Sequence, residues 1–307
     1  MRIIVVGLGV QGQKRRKQAG SDFVASADTV NPEADFKSAY DIPLGSYDAA
    51  LVCVPDEPKI ELLSYFLSNG KHVLVEKPLW ADKDESIVEL ERIALKNGVV
   101  CYTAYNHRFE PHYVRMRDLL TSGDLGRIYS CRMFYGNGTA RLVRNSVWRD
   151  QGAGVLPDLG SHLLDTCRFW FGSQAVRDFR VIFSNRFENQ APDHVIIGSS
   201  DSTPRIELEM TLLMWRNHFT CDILAEKGSA HIESLCKWGP TTFTRRTRVI
   251  PSGRPPEESV VLIQDDPTWG LEYAHFKGLC ERAERTDLEN DLWIQQTLRS
   301  LSKEAIL

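Results

Sequence analysis

The chain has 307 residues, 42% hydrophobic and 25% charged, the balance of a soluble globular protein with length for two domains. A formal net charge of −4 supplies no basic field for nucleic acid or an acidic membrane surface, and no apolar run approaches a bilayer span. Seven scattered cysteines without a CxxC pair and eight histidines without an HxxxH pair give neither a disulfide framework nor metal-ligand spacing, so reduced thiols, a cytoplasmic location and a metal-free site are expected.

Arg2-Ile3-Ile4-Val5-Val6 is a β-branched run suited to a strand buried on both faces. It leads straight into Gly7-Leu8-Gly9-Val10-Gln11-Gly12, with no leader-like cleavage segment, and residues 13–19 then suit a helix. Strand, GxGxxG and helix in that order are the context of a dinucleotide-binding turn. Gly7 permits the tight turn, Gly9 the approach of a pyrophosphate, and Gly12 the close packing of helix on strand. The helix start, with Val10 and Gln11, offers N–H donors to the anion.

A second strand at 23–27 ends in Asp28, about 20 residues past the first glycine, where an acid hydrogen-bonds the adenosine ribose. The competing reading is a turn aspartate before Asn31-Pro32. An acid there repels a 2′-phosphate and favours NAD, although Lys14, Arg15 and Arg16 leave NADP open. A third strand at 49–54 closes with Pro55-Asp56-Glu57-Pro58, a helix covers 60–67, and a fourth strand at 71–75 runs into Glu76-Lys77-Pro78. Pro78 holds Lys77 extended. A helix at 84–96, striped by Ile87, Leu90 and Ile93, precedes a fifth strand at 99–103. The alternation predicts an α/β domain with a doubly wound parallel sheet, and places Lys77 at the same carboxyl edge as the glycine turn.

Beyond residue 110 the period changes. A helix at 114–120 and a strand at 129–135 are followed by a short helix at 162–170. Strands are expected at 176–183, 194–198, 205–213, 217–224 and 229–233, with turns at Asp201-Ser202 and Glu226-Lys227-Gly228, and closing helices at 271–284 and 291–302. This predicts an α+β domain on an open, mostly antiparallel sheet, hence a dinucleotide-binding domain at 1–110 and a substrate-binding and oligomerisation domain at 111–307. The segment 152–162 holds glycines that would let backbone pass close to a ligand, with Asp158 ahead of a helix and His162 in its first turn. An imidazole suits acid–base work on a hydroxyl; the plainer reading is a capping aspartate and a buried, satisfied histidine. Arg141, Arg144 and Arg149, interleaved with Asn137, Asn145 and Trp148, suit the phosphates of a nucleotide-activated sugar or a solvated loop. Arg245, Arg246 and Arg248 read as the solvent face of a strand.

The chain resembles the glucose–fructose oxidoreductase / inositol dehydrogenase (Gfo/Idh/MocA) family. The resemblance rests on GLGVQG at 7–12, VEKPL at 75–79, YNHRFEP at 105–111, GDLGRI at 123–128, Trp148-Arg149 and GAGVLPDLGSHLLD at 152–165. It implies hydride transfer between a nicotinamide and a secondary hydroxyl or ketone of a sugar-type small molecule, and a homodimer or homotetramer formed through the C-terminal sheet. Cofactor contacts are then expected from Gly7, Gly9, Val10, Gln11, Gly12, Asp28, Pro55, Glu76, Lys77 and Asn106. Substrate contacts are expected from Lys77, Asn106, Arg141, Arg144, Arg149, Asp158 and His162. In the catalytic set His162 takes the hydroxyl proton, Lys77 hydrogen-bonds the same oxygen, and Asp158 orients His162 or a neighbouring hydroxyl; which of Lys77 and His162 is the proton acceptor stays open. Two departures stand out: Lys59 occupies a position where the family often has histidine, and Pro157 one where a larger aliphatic residue is common. A non-catalytic dinucleotide sensor, or a reductase of a non-sugar carbonyl or imine, are the alternatives; the presence of Lys77, Asp158 and His162 together favours an enzyme.

Overall fold

The computed structural model describes residues 1–146, 149–173, 178–199 and 203–306. Trp148, the opening of the strand expected at 176–183 and the Asp201-Ser202 turn lie outside the described residues. The chain parts into two compact units. One comprises Met1–Asn106 with Thr268–Gln295, the other His107–Pro267 with Gln296–Leu307.

In the first unit five strands, β1 (Ile3–Val6), β2 (Phe23–Ala27), β3 (Ala49–Val52), β4 (His72–Glu76) and β5 (Cys101–Ala104), form a parallel sheet in the order β2-β1-β3-β4-β5. Successive residues of a strand point to opposite faces, and both faces are apolar. Ile4, Val6, Ala50, Val52, Val73 and Val75 face the helices α2 (Asp56–Ser68) and α3 (Asp84–Asn97), through Leu63, Phe66, Leu67, Ile87 and Leu90. Ile3, Val5, Ala49, Leu51 and Leu74 face the other way, toward α1 (Val10–Ala19). In-register pairs Val6↔Ala27, Val6↔Val52, Val52↔Val75 and Val75↔Thr103 align the strand ends. Gly7, Asp28, Cys53 and the Glu76-Lys77 turn therefore emerge along one carboxyl edge, where open α/β sheets bind ligands.

The second unit is built on an eight-stranded sheet. Its elements are α4 (Pro111–Ser122), β6 (Ile128–Gly136), the short α5 (Ala140–Arg144), α6 (Ser161–Phe171), β7 (Phe179–Asn185), β8 (His194–Ser199), β9 (Arg205–Thr211), β10 (His218–Ala225), β11 (Gly228–Glu233), β12 (Thr241–Thr247) and β13 (Glu257–Leu262). The order is β13-β12-β11-β10-β6-β9-β8-β7; β6 and β9 pair parallel and the other neighbours antiparallel. In β6, buried Cys131, Met133 and Tyr135 alternate with the half-buried Ser130 and Phe134 and the exposed Arg132, the signature of a sheet covered on one face. The cover comes from α4 and α6: Tyr113 packs on Phe219 of β10, and the Trp170 indole donates to the Tyr113 carbonyl at 3.1 Å.

A strand was read at Arg245 and Arg246, within β12, but its bounds were not, and β13 was not anticipated. β12 is rich in threonine and arginine, and β13 is an edge strand in which only Val260 and Leu262 are half-buried, so neither shows a strong inside–outside alternation in the sequence. The C-terminal helices divide. Thr268–Glu281 (α7) belongs to the first unit, where Tyr273, Phe276 and Cys280 complete the sheet face left open beside α1. Asp22 anchors it, accepting from the Tyr273 hydroxyl at 2.7 Å and the Lys277 amine at 2.9 Å. Glu289–Ile306 (α8) gives its first turns to the first unit and its last to the second. Among the described residues no helix is long and apolar enough to cross a membrane.

Candidate active site

The glycine turn is as tight as its sequence requires. Gly7 has φ +87°, and a Cβ there would meet the Cys53 carbonyl at 2.6 Å; a Cβ on Gly12 would lie 1.8 Å from the Gly7 oxygen. At Gly9 nothing lies within 4 Å of such a Cβ, which leaves the backbone open to a ligand. Gly9 caps α1 without a side-chain acceptor and the first turn holds no acid, so the orphan N–H groups of Val10 and Gln11 face no competing negative charge of their own helix. Asp28 closes this turn: one oxygen accepts from the Leu8 N–H at 2.6 Å, the other from Val30 and Asn31 at 2.8 and 2.7 Å. Burial pushes its carboxyl up, but the N–H donors of Asn31, Leu8 and Val30 outweigh that and hold it below the ordinary carboxylate range. The turn role that the sequence left open for Asp28 is thus realised.

Lys77 follows β4 in a turn held from both sides. Lys59, buried in α2, donates to the carbonyls of Glu76 at 3.4 Å and Pro78 at 3.0 Å, the two residues flanking Lys77, and to Asp56 at 2.5 Å. The departure at position 59 is therefore a structural clamp on the lysine turn. Its signal in the sequence was the Asp56/Lys59 pair three residues apart in the first helical turn after a strand. The Glu76 carboxylate accepts from Arg15 Nε at 2.7 Å, and Arg15 also pairs with Glu272 of α7 at 2.7 Å and lies over the Trp269 ring at 4.3 Å. Burial works against the Arg15 charge, yet Glu272 and Glu76 overcome it and raise the guanidinium's proton affinity. Of the three basic residues read as openings for a 2′-phosphate, Arg15 is committed to this buried network. Lys14 also lies over Trp269, and Arg16 lies over Phe23. Pro55 is exposed ahead of α2, and the Asn106 amide donates to Thr268 at 2.8 Å.

In the second unit the α6 start gathers the other candidates. His162, nearly buried as the second residue of α6, stacks on His107 with ring centroids 4.0 Å apart and planes at 17°. Three residues on, Asp165 takes a forked contact from Arg108, with Nε to Oδ2 at 2.9 Å and Nη2 to Oδ1. His162 and Asp165 share a helix face, and His107 and Arg108 are consecutive, so the ion pair fixes the register of the stack. Beside His107 stands Lys237, its amine 3.2 Å from His107 Nε2, 3.3 Å from the Tyr135 hydroxyl and 4.6 Å from the Trp238 ring centre. Burial lowers the proton affinity of Lys237 by more than Glu110, Asp266 and Asp158 raise it. Glu110 is itself buried; burial raises its carboxyl above the ordinary range despite the Cys236 N–H at 3.3 Å.

Asp158 meets Arg149 at 3.4 Å, and its carbonyl accepts from the Ser161 hydroxyl at 3.2 Å. Arg144 is turned instead to the Glu188 carbonyl, and Arg141 is exposed on α5. Two of the segment's glycines serve packing: a Cβ on Gly154 (φ +54°) would meet the Pro192 carbonyl at 2.0 Å, and one on Gly160 the Met210 sulfur at 3.0 Å. The ligand approach expected of these two is corrected to a close approach of the protein to itself. His107, Tyr135, Glu110 and Lys237 had been given no role. His107 and Glu110 stood in the quoted motif, whereas Lys237 has no local pattern to announce it.

The family model described as "Oxidoreductase family, NAD-binding Rossmann fold" matches residues 4–105, and the GFO/IDH/MocA C-terminal domain matches residues 113–231. The chain belongs to the Gfo/Idh/MocA family. It is 30% identical to an uncharacterized oxidoreductase of Schizosaccharomyces pombe over 41% of this chain and 34% of that protein. It is 26% identical to the scyllo-inositol 2-dehydrogenase (NAD(+)) of Bacillus subtilis over 48% of this chain and 42% of that protein. These matches span less than half the length of either relative. Levoglucosan dehydrogenase, solved in complex with NADH and L-sorbose, superposes with a TM-score of 0.83 at 17% identity, covering 99% of this chain and 96% of that one, a likeness of fold.

As a Gfo/Idh/MocA protein the chain carries an NAD-binding Rossmann fold, and the open backbone at Gly9 fits a dinucleotide. Gly12→Ala is expected to weaken NADH binding at least ~10-fold, because the methyl group must displace the Gly7 carbonyl. A fluorescence titration with unchanged affinity would detach the turn from the cofactor. Lys59→Met is expected to destabilise the fold by about 1–3 kcal/mol by orphaning the Glu76 and Pro78 carbonyls, read by urea unfolding.

Proposed function

We propose that the chain is an NAD-dependent dehydrogenase or reductase that interconverts a secondary hydroxyl and a ketone on a sugar or polyol. The observation that carries the reading is the stacked His107–His162 pair beside the Lys237 amine, a buried group able to accept and return a proton, in a chain of an NAD-binding oxidoreductase family. A bound nicotinamide supplies the hydride chemistry.

The chain's own residues do the rest. Gly7, Gly9, Val10, Gln11 and Gly12 cradle the pyrophosphate, Asp28 takes the ribose hydroxyls, and Pro55, Glu76, Lys77 and Asn106 complete the cofactor contacts. Lys77, projected from a turn clamped by Lys59, donates a hydrogen bond to the reacting oxygen, and His162 takes its proton. Asp158, Asn106 and Arg149 hold the neighbouring hydroxyls, and Arg141 and Arg144 take part where the substrate carries a phosphate. Residues 1–110, completed by the returning segment Thr268–Gln295, form the cofactor domain and the rest of 111–307 the substrate domain, and copies of the chain pair through the eight-stranded sheet. An acid at the end of β2 and the burial of Arg15 support NAD over NADP. Relatives named as inositol dehydrogenases support a polyol.

The test is to incubate the purified protein with NAD, and separately NADP, and a panel of inositols, anhydrosugars, free sugars and nucleotide sugars, following nicotinamide absorbance. Reduction by a polyol supports the reading. NADH binding without turnover on any panel member, in either direction, would leave a sensor.

A further inference from the structure

We propose that Lys237 is a positioning residue for the imidazole pair: its ammonium donates to Nε2 of a neutral His107, and its positive charge disfavours an imidazolium on the stacked His162 at neutral pH. The inference rests on the reading of His162 as the base, but not on which hydroxyl is oxidised.

An ammonium 3.2 Å from a ring nitrogen can donate to it only while that nitrogen carries no proton, which places the ring hydrogen of His107 on Nδ1. Charging both rings at 4.0 Å, next to Lys237, would gather three like charges in a largely buried space. Imidazole yields first, because its ordinary pKa of about 6.5 lies far below lysine's of about 10.4. Burial works against the Lys237 charge and lowers its proton affinity, opposed by Glu110, Asp266 and Asp158; the Tyr135 hydroxyl accepts a second hydrogen, and the Trp238 ring receives the cation. The nearby arginines are matched, Arg108 by Asp165 and Arg149 by Asp158. Tyr113, edge-on to His107 at 5.9 Å, is pushed by burial far toward its neutral form and adds no charge.

For a base this arrangement has a direction. A neighbouring cation disfavours the imidazolium, so His162 titrates at lower pH with Lys237 present, and the acid limb of kcat/KM lies correspondingly low. Removing the cation raises the imidazole midpoint and moves that limb to higher pH.

The experiment is an NMR titration of the histidine rings in the full chain without cofactor or substrate, with signals assigned from His107→Gln and His162→Gln. In Lys237→Met the His162 midpoint is expected to rise by about one pH unit, while Lys237→Arg, which keeps the charge, holds the wild-type value. Lys237→Gln keeps a hydrogen-bond donor without the charge; it should show the same rise and serves if the methionine variant fails to fold. A folded Met or Gln variant with an unmoved His162 midpoint overturns the proposal. A moved midpoint in a protein that oxidises no polyol supports the electrostatic role of Lys237 and refutes the dehydrogenase reading instead.

Discussion

Lys77→Ala and His162→Ala are each expected to lower turnover at least ~10²-fold while NADH affinity stays near wild type. The two substitutions remove different things. Lys77 leaves a turn whose flanking carbonyls remain tied to Lys59, so the strand end and the glycine cradle persist without it. The loss then falls on the stabilisation of charge at the reacting oxygen. His162 leaves a gap beside His107, but Arg108 and Asp165 still lock the start of α6, so the expected loss is of the proton acceptor and not of the fold. The measurement is steady-state kinetics on the best panel substrate, with NADH binding and a thermal melt as controls. Full turnover in either folded variant removes that residue from the chemistry, and full turnover in both removes the proposed mechanism.

Arg15→Leu is expected to destabilise the protein by about 3–5 kcal/mol, the second large effect. Arg15 is 1% exposed and meets Glu272, which is fully buried, and Glu76. Truncating the cation leaves one carboxylate with no access to water and another largely screened from it, and neither can move away because both sit on packed elements. Restoring charge balance tests the cause: Arg15→Leu with Glu272→Leu should recover a substantial part of the loss in urea unfolding, since an apolar replacement of a buried ion pair is often neutral. A double variant as unstable as the single one would instead assign the loss to packing around Trp269. Because Glu76 precedes Lys77, the single variant should also weaken cofactor binding, whereas a remote core truncation would not.

The parallel sheet and its functional edge were legible in the sequence. Strands β1 and β3 are unbroken β-branched or apolar runs, β4 holds the apolar stretch Val73-Leu74-Val75, and the glycine turn announces itself because backbone conformation and close approach at Gly7 and Gly12 are demands of the local chain. Most strands of the second sheet were also readable, since one covered face imposes a period of two. The edge strand β13 was not, because its first three residues are exposed and only Val260 and Leu262 are half-buried, too few to impose a visible period. Within the candidate site, the Glu76-Lys77-Pro78 turn and the Asp158/His162 segment could be found as patterns.

The partners that give those patterns their chemistry could not. Lys237 reaches His107 across 130 residues of chain, Glu272 closes on Arg15 from α7, and the same helix completes a sheet begun at residue 3. By itself the sequence determined periodicity, turn geometry and the residues competent for proton and hydride chemistry, all of which are properties of short stretches of backbone. Only the tertiary structure decided which charges are buried against which, because that choice is made by contacts between distant segments whose local pattern is the same whether the lysine or arginine faces water or a carboxylate.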